Sequence, residues 1–180
     1  MRTNFLLLHG YGGKHPDHWQ SHLANSLEKI NQHVRYPDFP DPDMPDLEKW
    51  LEYLEKNIGR ANPESLVIAA HSLGCSLWLH YIYRHPDVRP KKVFLVAPPL
   101  NDCGISDLSN FFPLPKLDLS NQNYIIIGSD DDNFISRDEF ETLSKNLHVP
   151  FKLLSGAGHI NAPVFGYWEW MYNECLCLID

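Results

Sequence analysis

Short runs of consecutive apolar residues alternate with helix-like segments along most of this chain of 180 residues. The runs are apolar at successive positions, which indicates strands covered on both faces, as in a parallel sheet. Helical periodicity separates the runs, and the clearest case follows Asp46 at an N-cap position. This alternation predicts an α/β fold: a three-layer, doubly wound sandwich around a mostly parallel sheet of about six strands. The predicted strands are residues 5–8, 33–36, 65–70, 92–96, 124–127 and 151–154.

The length is near that of one ordinary domain, so we expect a single domain over residues 1–180. Two proline-containing stretches, residues 37–46 and 98–120, interrupt the alternation. Proline fixes the backbone and removes a hydrogen-bond donor, so neither stretch is expected to form a long helix or a central strand.

Charge and composition exclude several classes of function. The net charge is −8, from 15 basic and 23 acidic residues, and no basic stripe is present, so nucleic acid is not an expected partner. No apolar run approaches the roughly 18 residues that span a bilayer, and no signal peptide is evident, so no membrane partner is expected. The four cysteines lack paired zinc-ligand spacing and fit a cytoplasmic protein, with Cys175 and Cys177 expected to be buried thiols.

The most informative motif follows the apolar run 65–70. Ser72 lies between a predicted strand and a predicted helix, with the small residues Ala70 and Gly74 two positions away on either side. This pattern is typical of the nucleophile elbow, G-x-S-x-G, in which small neighbours allow a strained turn. The elbow would expose the Ser72 hydroxyl and place the Leu73 amide at a helix N-terminus, as an oxyanion donor. A serine that only caps the helix is the plainer alternative.

A glycine-rich segment, His9-Gly10-Tyr11-Gly12-Gly13, follows the first predicted strand. Such a turn brings a backbone N–H close to a substrate carbonyl, and we expect the Tyr11 amide to be the second oxyanion donor. His9 is expected to orient this loop by a hydrogen bond. No phosphate-binding glycine motif is present.

A general base and its acid are predicted at the ends of the last two strands. His159 stands in a loop of small residues after the run 151–154, and three aspartates, Asp130, Asp131 and Asp132, follow the run 124–127. The chain order Ser, Asp, His is that of α/β-hydrolases. The residues alone leave open which aspartate orients His159.

These segments together resemble the small serine hydrolases related to retinoblastoma-binding protein 9. The similarity rests on the HG-x-GG segment with Trp19, the AHSLGC elbow, the aspartate loop and GAGHINAP, and it covers essentially the whole chain. In that family the acid precedes proline in a G-S-x-[ND]-D-P-[FY] loop, which implies Asp132 as the acid. Asn133 stands where proline is common, so Asp131 remains a second choice, and Asp130 fits a turn cap.

The resemblance implies carboxylesterase-like cleavage of small acyl substrates without a cofactor. His159 would take the proton of Ser72, the serine would attack the acyl carbonyl, and water would hydrolyse the acyl-enzyme. Trp19, Phe111 and Phe112 are candidates for contact with substrate. Little of the chain is left over after strands and helices, which predicts a minimal hydrolase without a large lid.

Two alternatives use other features. His15, His18 and His22 suggest a metal-dependent hydrolase, although no carboxylate or cysteine completes a metal signature and a capping or surface role is expected for them. A protein-binding module on a hydrolase scaffold is the second alternative, because a fold does not define a chemistry. A protein partner is possible, but no peptide-binding signature is visible in the sequence.

Overall fold

A six-stranded sheet organises the chain, of which the computed structural model describes residues 3–58, 63–162 and 164–179. All neighbouring strands are parallel, in the order β2-β1-β3-β4-β5-β6. The predicted fold class and strands are confirmed, with boundaries within two residues of those expected. The strands are β1 (Asn4–Leu8), β2 (His33–Arg35), β3 (Leu66–His71), β4 (Lys92–Val96), β5 (Tyr124–Ser129) and β6 (Phe151–Leu154).

Helices cover both faces of the sheet. One face carries α1 (Trp19–Lys29) and α5 (Glu169–Leu176), and the other carries α2 (Leu47–Ile58), α3 (Leu73–Arg84) and α4 (Arg137–Leu147). Within β3, Ile68 packs into the core beneath α2 and α3, while its neighbour Val67 packs into the core beneath α1. Because both faces are buried, successive positions of a strand are apolar, which explains the continuous runs in the sequence.

Local signals in the sequence account for where the helices begin. The carboxylate of Asp46 accepts a hydrogen bond of 2.9 Å from the Lys49 amide, as expected for an N-cap at the start of α2. Helix α4 begins with a capping box, in which Ser136 and Glu139 each bind the other's backbone N–H. Such caps satisfy amide donors that have no acceptor within the helix.

Two irregular segments lie at the carboxyl edge of the sheet. Residues 97–123 connect β4 to β5 with a short 3-10 helix, Ser106–Phe111, in place of an α-helix. Residues 36–46 cross the edge beside β1 before α2 begins. Within the described ranges neither segment forms a large lid, and no helix there has the length and apolarity to cross a bilayer.

Helix α3 approaches the end of β1 so closely that only glycine fits at the contact. A Cβ added to Gly74 would lie 2.5 Å from the carbonyl oxygen of Leu8 and 2.6 Å from that of His9. Both atoms belong to the backbone, so they cannot move aside as a flexible side chain would. The second small position of the elbow motif is therefore required by packing between α3 and β1.

We expect Gly74→Ala to lower the free energy of unfolding by about 1–3 kcal/mol, the usual cost of overpacking. Urea denaturation followed by circular dichroism measures the change. Gly166→Ala is the matched control, because its added Cβ would come no closer than 3.5 Å to another atom. Equal stabilities for the two variants would contradict the packing explanation.

Candidate active site

Ser72 occupies a strained backbone conformation between β3 and α3. Its φ is 50° and its ψ is −123°, a region that costs a non-glycine residue roughly 1–3 kcal/mol. The Ser72 amide donates a hydrogen bond of 2.9 Å to the carbonyl of Val96, which fixes the turn against β4. The side chain makes no capping hydrogen bond to α3, so the plain helix-cap alternative is wrong.

The Ser72 hydroxyl lies 3.0 Å from Nε2 of His159, and Nδ1 of the same ring lies 2.8 Å from an oxygen of Asp132. An ionised carboxylate only accepts hydrogen bonds, so Nδ1 carries the proton and Nε2 presents its lone pair to the serine. The Asp132 side chain is fully buried and that of His159 is 12% exposed. The second oxygen of Asp132 accepts hydrogen bonds from the amides of Phe134 (2.8 Å) and Ile135 (3.2 Å).

The other two aspartates of the loop have different partners. Asp131 accepts hydrogen bonds from the Ser129 hydroxyl and the Gly158 amide, at 2.6 and 2.7 Å. Asp130 binds the hydroxyl of Ser155 and the amide of Gly156, each at 2.8 Å. These bonds lower the pKa of both carboxyl groups. Of the three aspartates, Asp132 is thus the one placed at the imidazole.

The glycine-rich loop packs directly on the elbow. A Cβ on Gly10 would lie 2.9 Å from the Cβ of Ser72 and 3.4 Å from the Leu73 amide nitrogen. Tyr11 and Leu73 both line the cavity above Ser72. Leu73 is the first residue of α3, so its N–H has no acceptor within the helix and lies at the positive end of the helix dipole. This arrangement brings together the two residues expected to provide oxyanion donors.

His9 holds the glycine-rich loop against the irregular segment 36–46. Its Nε2 accepts a hydrogen bond of 3.0 Å from the Phe39 amide, and its Nδ1 donates one of 2.8 Å to the Gly10 carbonyl. These two roles require the neutral ring, and burial lowers the pKa of His9 accordingly. The sequence-based expectation that His9 orients this loop agrees with both contacts.

Two further buried histidines, His71 and His18, line the cavity above Ser72. Nε2 of His71 donates a hydrogen bond of 2.9 Å to the backbone carbonyl of His159, which joins the elbow to the loop that carries His159. The ring of His18 lies 4.6 Å from that of His71, and its Nδ1 accepts from the Gln20 amide as the N-cap of α1. Burial lowers the pKa of His71 well below its ordinary value and that of His18 to about 3.

Two of the three histidines that suggested a metal site, His18 and His15, take other roles. His18 caps α1, and Nδ1 of His15 accepts a hydrogen bond from the Asp17 amide on the surface. Across the part of the chain that the structure describes, no group of three or more His, Cys, Asp or Glu side chains is arranged to hold a metal ion. The capping role expected for these residues is the one that His18 adopts.

A cavity of about 290 Å³ opens above Ser72. Residues 10–13, His15 and His18 line it, together with apolar residues of the β4–β5 connection and Phe134. The Phe134 ring stands edge-on to His159, with centroids 4.9 Å apart, and is half exposed. The apolar residues contributed by the connection are Pro99, Cys103, Ile105 and Leu108.

The aromatic residues expected to touch substrate lie elsewhere. Trp19 and Phe111 are fully buried, and Phe112 packs partly buried against the same core as Phe111, so none of the three lines the cavity. Phe111 anchors the β4–β5 connection against Trp50, with ring centroids 5.5 Å apart. Sequence reasoning missed Phe134, although the aromatic position two residues after the acid in the family loop pattern marks it.

The chain belongs to the serine hydrolase family, whose model matches residues 5–176. Its fold is similar to that of the ydeN gene product of Bacillus subtilis, with a TM-score of 0.85, 20% identity and 98% of each chain covered. A YdeN-like hydrolase from Pectobacterium atrosepticum aligns with a TM-score of 0.80 and 22% identity over 99% of this chain and 94% of its own. A CIB-like hydrolase from Thermoplasma acidophilum aligns with a TM-score of 0.67 and 20% identity, over 98% of this chain and 85% of its own. No curated protein sequence matches the chain.

The buried, neutral state of His18 makes stability depend on pH. Its pKa of about 3 in the folded chain lies below the ordinary value of 6.5, so between these values the unfolded chain binds more protons. Stability therefore falls as the pH is lowered through that window. We expect His18→Asn, which keeps a capping acceptor but does not titrate, to reduce the slope by up to about 1.4 kcal/mol per pH unit.

Urea denaturation at pH 7, 6, 5 and 4 measures this slope for both proteins. His33→Asn is the control, because His33 is an exposed histidine of β2 and does not contribute to the pKa of His18. An unchanged slope in His18→Asn would contradict the assignment of His18 as neutral in the folded protein.

Proposed function

We propose that this hydrolase cleaves small acyl esters through a triad of Ser72, His159 and Asp132 and a covalent acyl-enzyme. The observation that carries the proposal is the continuous hydrogen-bonded line from the Ser72 hydroxyl through both ring nitrogens of His159 to Asp132. The strained elbow supports it, because it directs the hydroxyl into the cavity instead of toward the helix.

In the first step, Nε2 of His159 takes the proton of Ser72 while the serine oxygen attacks the carbonyl carbon of the ester. The carbonyl oxygen becomes an oxyanion and is bound by the amides of Tyr11 and Leu73. Asp132 remains ionised, holds the ring in the required tautomer and stabilises its positive charge. The imidazolium then gives its proton to the departing alcohol, and the acyl-enzyme is left.

In the second step, water enters the place of the alcohol and gives a proton to Nε2 of His159. The resulting hydroxide equivalent attacks the acyl carbon, and the same two amides bind the second oxyanion. The imidazolium of His159 returns its proton to the Ser72 oxygen, the bond between that oxygen and the acyl carbon breaks, and the carboxylic acid is released. Both steps use one base and one set of donors, so the geometry described above serves the whole cycle.

The shape of the site favours small acyl groups. The cavity volume of about 290 Å³ is small, and within the described ranges no large lid extends it into a long channel. Its apolar lining comes from Leu108 and its neighbours in the β4–β5 connection and from Phe134, whose ring stands beside His159. A short acyl chain would pack against this lining, whereas a long lipid chain would extend into solvent.

Within the serine hydrolases, we propose a relationship to the group related to retinoblastoma-binding protein 9. The support comes from the aspartate loop, in which Asp132 binds His159 and Phe134 packs on its ring at the aromatic position of the group's pattern. Asn133 takes the place of proline without displacing Asp132 from the imidazole. Pro163, the last residue of the GAGHINAP segment, lies outside the described residues.

We also propose a cytoplasmic location, because all four cysteines are free thiols and free thiols persist in reducing compartments. Cys75 and Cys175 are buried, as expected for the latter, and Cys103 is half-buried. The expectation that Cys177 is buried is wrong, because it lies exposed one residue beyond the last residue of α5.

We expect Ser72→Ala to abolish labelling by a fluorophosphonate probe and hydrolysis of p-nitrophenyl acetate. Asp132→Asn should lower kcat by about 10⁴-fold, because an asparagine side chain does not hold the imidazole in the required tautomer. Labelling followed by gel fluorescence and a steady-state assay measure both effects. Ser136→Ala is the control serine variant, since Ser136 caps α4 and does not line the cavity. Equal labelling of Ser72→Ala and the unmodified protein would refute the proposal.

Acyl-chain length tests the size of the substrate. Across p-nitrophenyl esters from acetate to laurate, kcat/KM should peak at short chains and fall by about tenfold or more beyond them, since extra methylenes find no apolar wall. Leu108→Ala should move the optimum toward longer chains by enlarging the apolar side. A steady rise of kcat/KM up to laurate would contradict a small acyl site.

A further inference from the structure

We propose that Asp131, acting with Ser129, is a positioning residue for His159. The pair holds the loop that carries His159 against the end of β5. The inference rests on the proposed function, because it concerns how the base reaches Ser72. In this role Asp131 touches neither substrate nor the imidazole. It acts through the backbone of the loop that carries His159.

Five consecutive residues of the loop, 155–159, each donate to a side chain that follows or ends β5. The hydroxyl of Ser155 and the amide of Gly156 donate to Asp130, and the imidazole of His159 donates to Asp132. Between these ends, the Ala157 amide donates to the Ser129 hydroxyl at 2.9 Å, and the Gly158 amide donates to Asp131. Every residue from 155 to 159 is thus hydrogen-bonded to the segment 129–132, although the two loops form no strand pairing.

Ser129 and Asp131 form the centre of this pairing. The Ser129 side chain is fully buried, so its hydroxyl needs partners within the protein. The hydroxyl accepts a hydrogen bond from the Ala157 amide and donates one to Oδ1 of Asp131. That same Oδ1 atom also accepts a hydrogen bond from the Gly158 amide. Successive amides on the N-terminal side of His159 are therefore held by one hydroxyl–carboxylate pair.

The loop backbone makes a hydrogen bond of its own, from the Ile160 amide to the Ala157 carbonyl at 3.0 Å, but three of its residues have positive φ angles. Gly156 and Gly158 have φ angles of 66° and 55°, and Ile160, just beyond the base, has a φ of 51°. Glycine enters this region without a steric penalty but has many other conformations available, so external hydrogen bonds must select one. Among the described residues, the only hydrogen bond to the backbone of His159 comes from His71, whose Nε2 donates to its carbonyl.

The charge of Asp131 suits this role. Its pKa is held below the ordinary value, first by the Ser129 hydroxyl and then by the Gly158 amide, so it remains an acceptor at neutral pH. Asparagine offers a carbonyl oxygen at the same place, whereas alanine offers no acceptor. The structure therefore predicts that the acceptor atom matters more than the charge.

The test compares kcat and KM for p-nitrophenyl acetate in three variants of this pair with those of the unmodified protein. Asp131→Ala and Ser129→Ala should each lower kcat by about 10–100-fold, because small misplacements of a catalytic group have effects of that size. KM should change by less than about twofold, since acylation and deacylation both depend on His159. Asp131→Asn should stay within about threefold in kcat, because it keeps the acceptor.

Asp118→Ala is the matched control. Asp118 likewise accepts a backbone hydrogen bond in an exposed turn, from Ser120 at 3.0 Å, but it precedes β5 at the opposite edge of the sheet. This variant should keep the kcat of the unmodified protein. Circular dichroism at the assay temperature ensures that kcat refers to folded protein in every case.

The outcomes separate this inference from the proposed function. Loss of activity in Ser72→Ala with full kcat in both folded Asp131→Ala and Ser129→Ala would overturn the positioning role alone. Retained activity in Ser72→Ala would overturn the proposed function. A loss in Asp131→Asn as large as that in Asp131→Ala would overturn the claim that the acceptor atom positions the loop. If Asp131→Ala does not fold, Ser129→Ala decides the first comparison.

Discussion

The candidate site depends on how closely three backbone segments approach one another at the carboxyl edge of the sheet. Helix α3 rests on the carbonyl groups at the end of β1 because Gly74 has no side chain, and the loop after β1 rests on the elbow because Gly10 has none. With a Cβ at either place, the N-terminus of α3 and the glycine-rich loop could not approach so closely, and the two proposed oxyanion donors, Tyr11 and Leu73, would be separated. The candidate site therefore requires close backbone packing at Gly74 and Gly10.

Much of this arrangement could be predicted from the sequence, because the features concerned are local. The continuous apolar runs predicted the parallel sheet, and the elbow and the order of motifs predicted that Ser72 and His159 lie together with an aspartate of the loop. The wall of the cavity could not be predicted, since it depends on how the β4–β5 connection folds. The position of an aromatic residue near a motif does not indicate whether its side chain faces the cavity or the core. The side chains of Trp19 and Phe111 are buried in the core.

Two loops outside the strands and helices, residues 36–46 and the aspartate loop after β5, support opposite sides of the site. Residues 36–46 hold the glycine-rich loop, through the Phe39 amide on His9 and the Pro42 carbonyl, which accepts from Gly12 at 3.0 Å. Phe39 is in turn stacked on Trp50 of α2, with centroids 4.8 Å apart. The aspartate loop holds the other side. In each case rigid hydrogen bonds from a neighbouring loop replace the regular structure that strands and helices provide elsewhere.

The residue-by-residue pairing of the two loops beyond β5 and β6 also restricts how such a protein evolves. Surface loops ordinarily accept insertions and deletions with little effect. Here one residue added to either loop would shift His159 relative to Asp132 by up to about 3.5 Å, the span of one extended residue. A change of length in the aspartate loop would need a compensating change in the loop of His159. The lengths of these two segments, far apart in the sequence, are therefore expected to vary together or not at all.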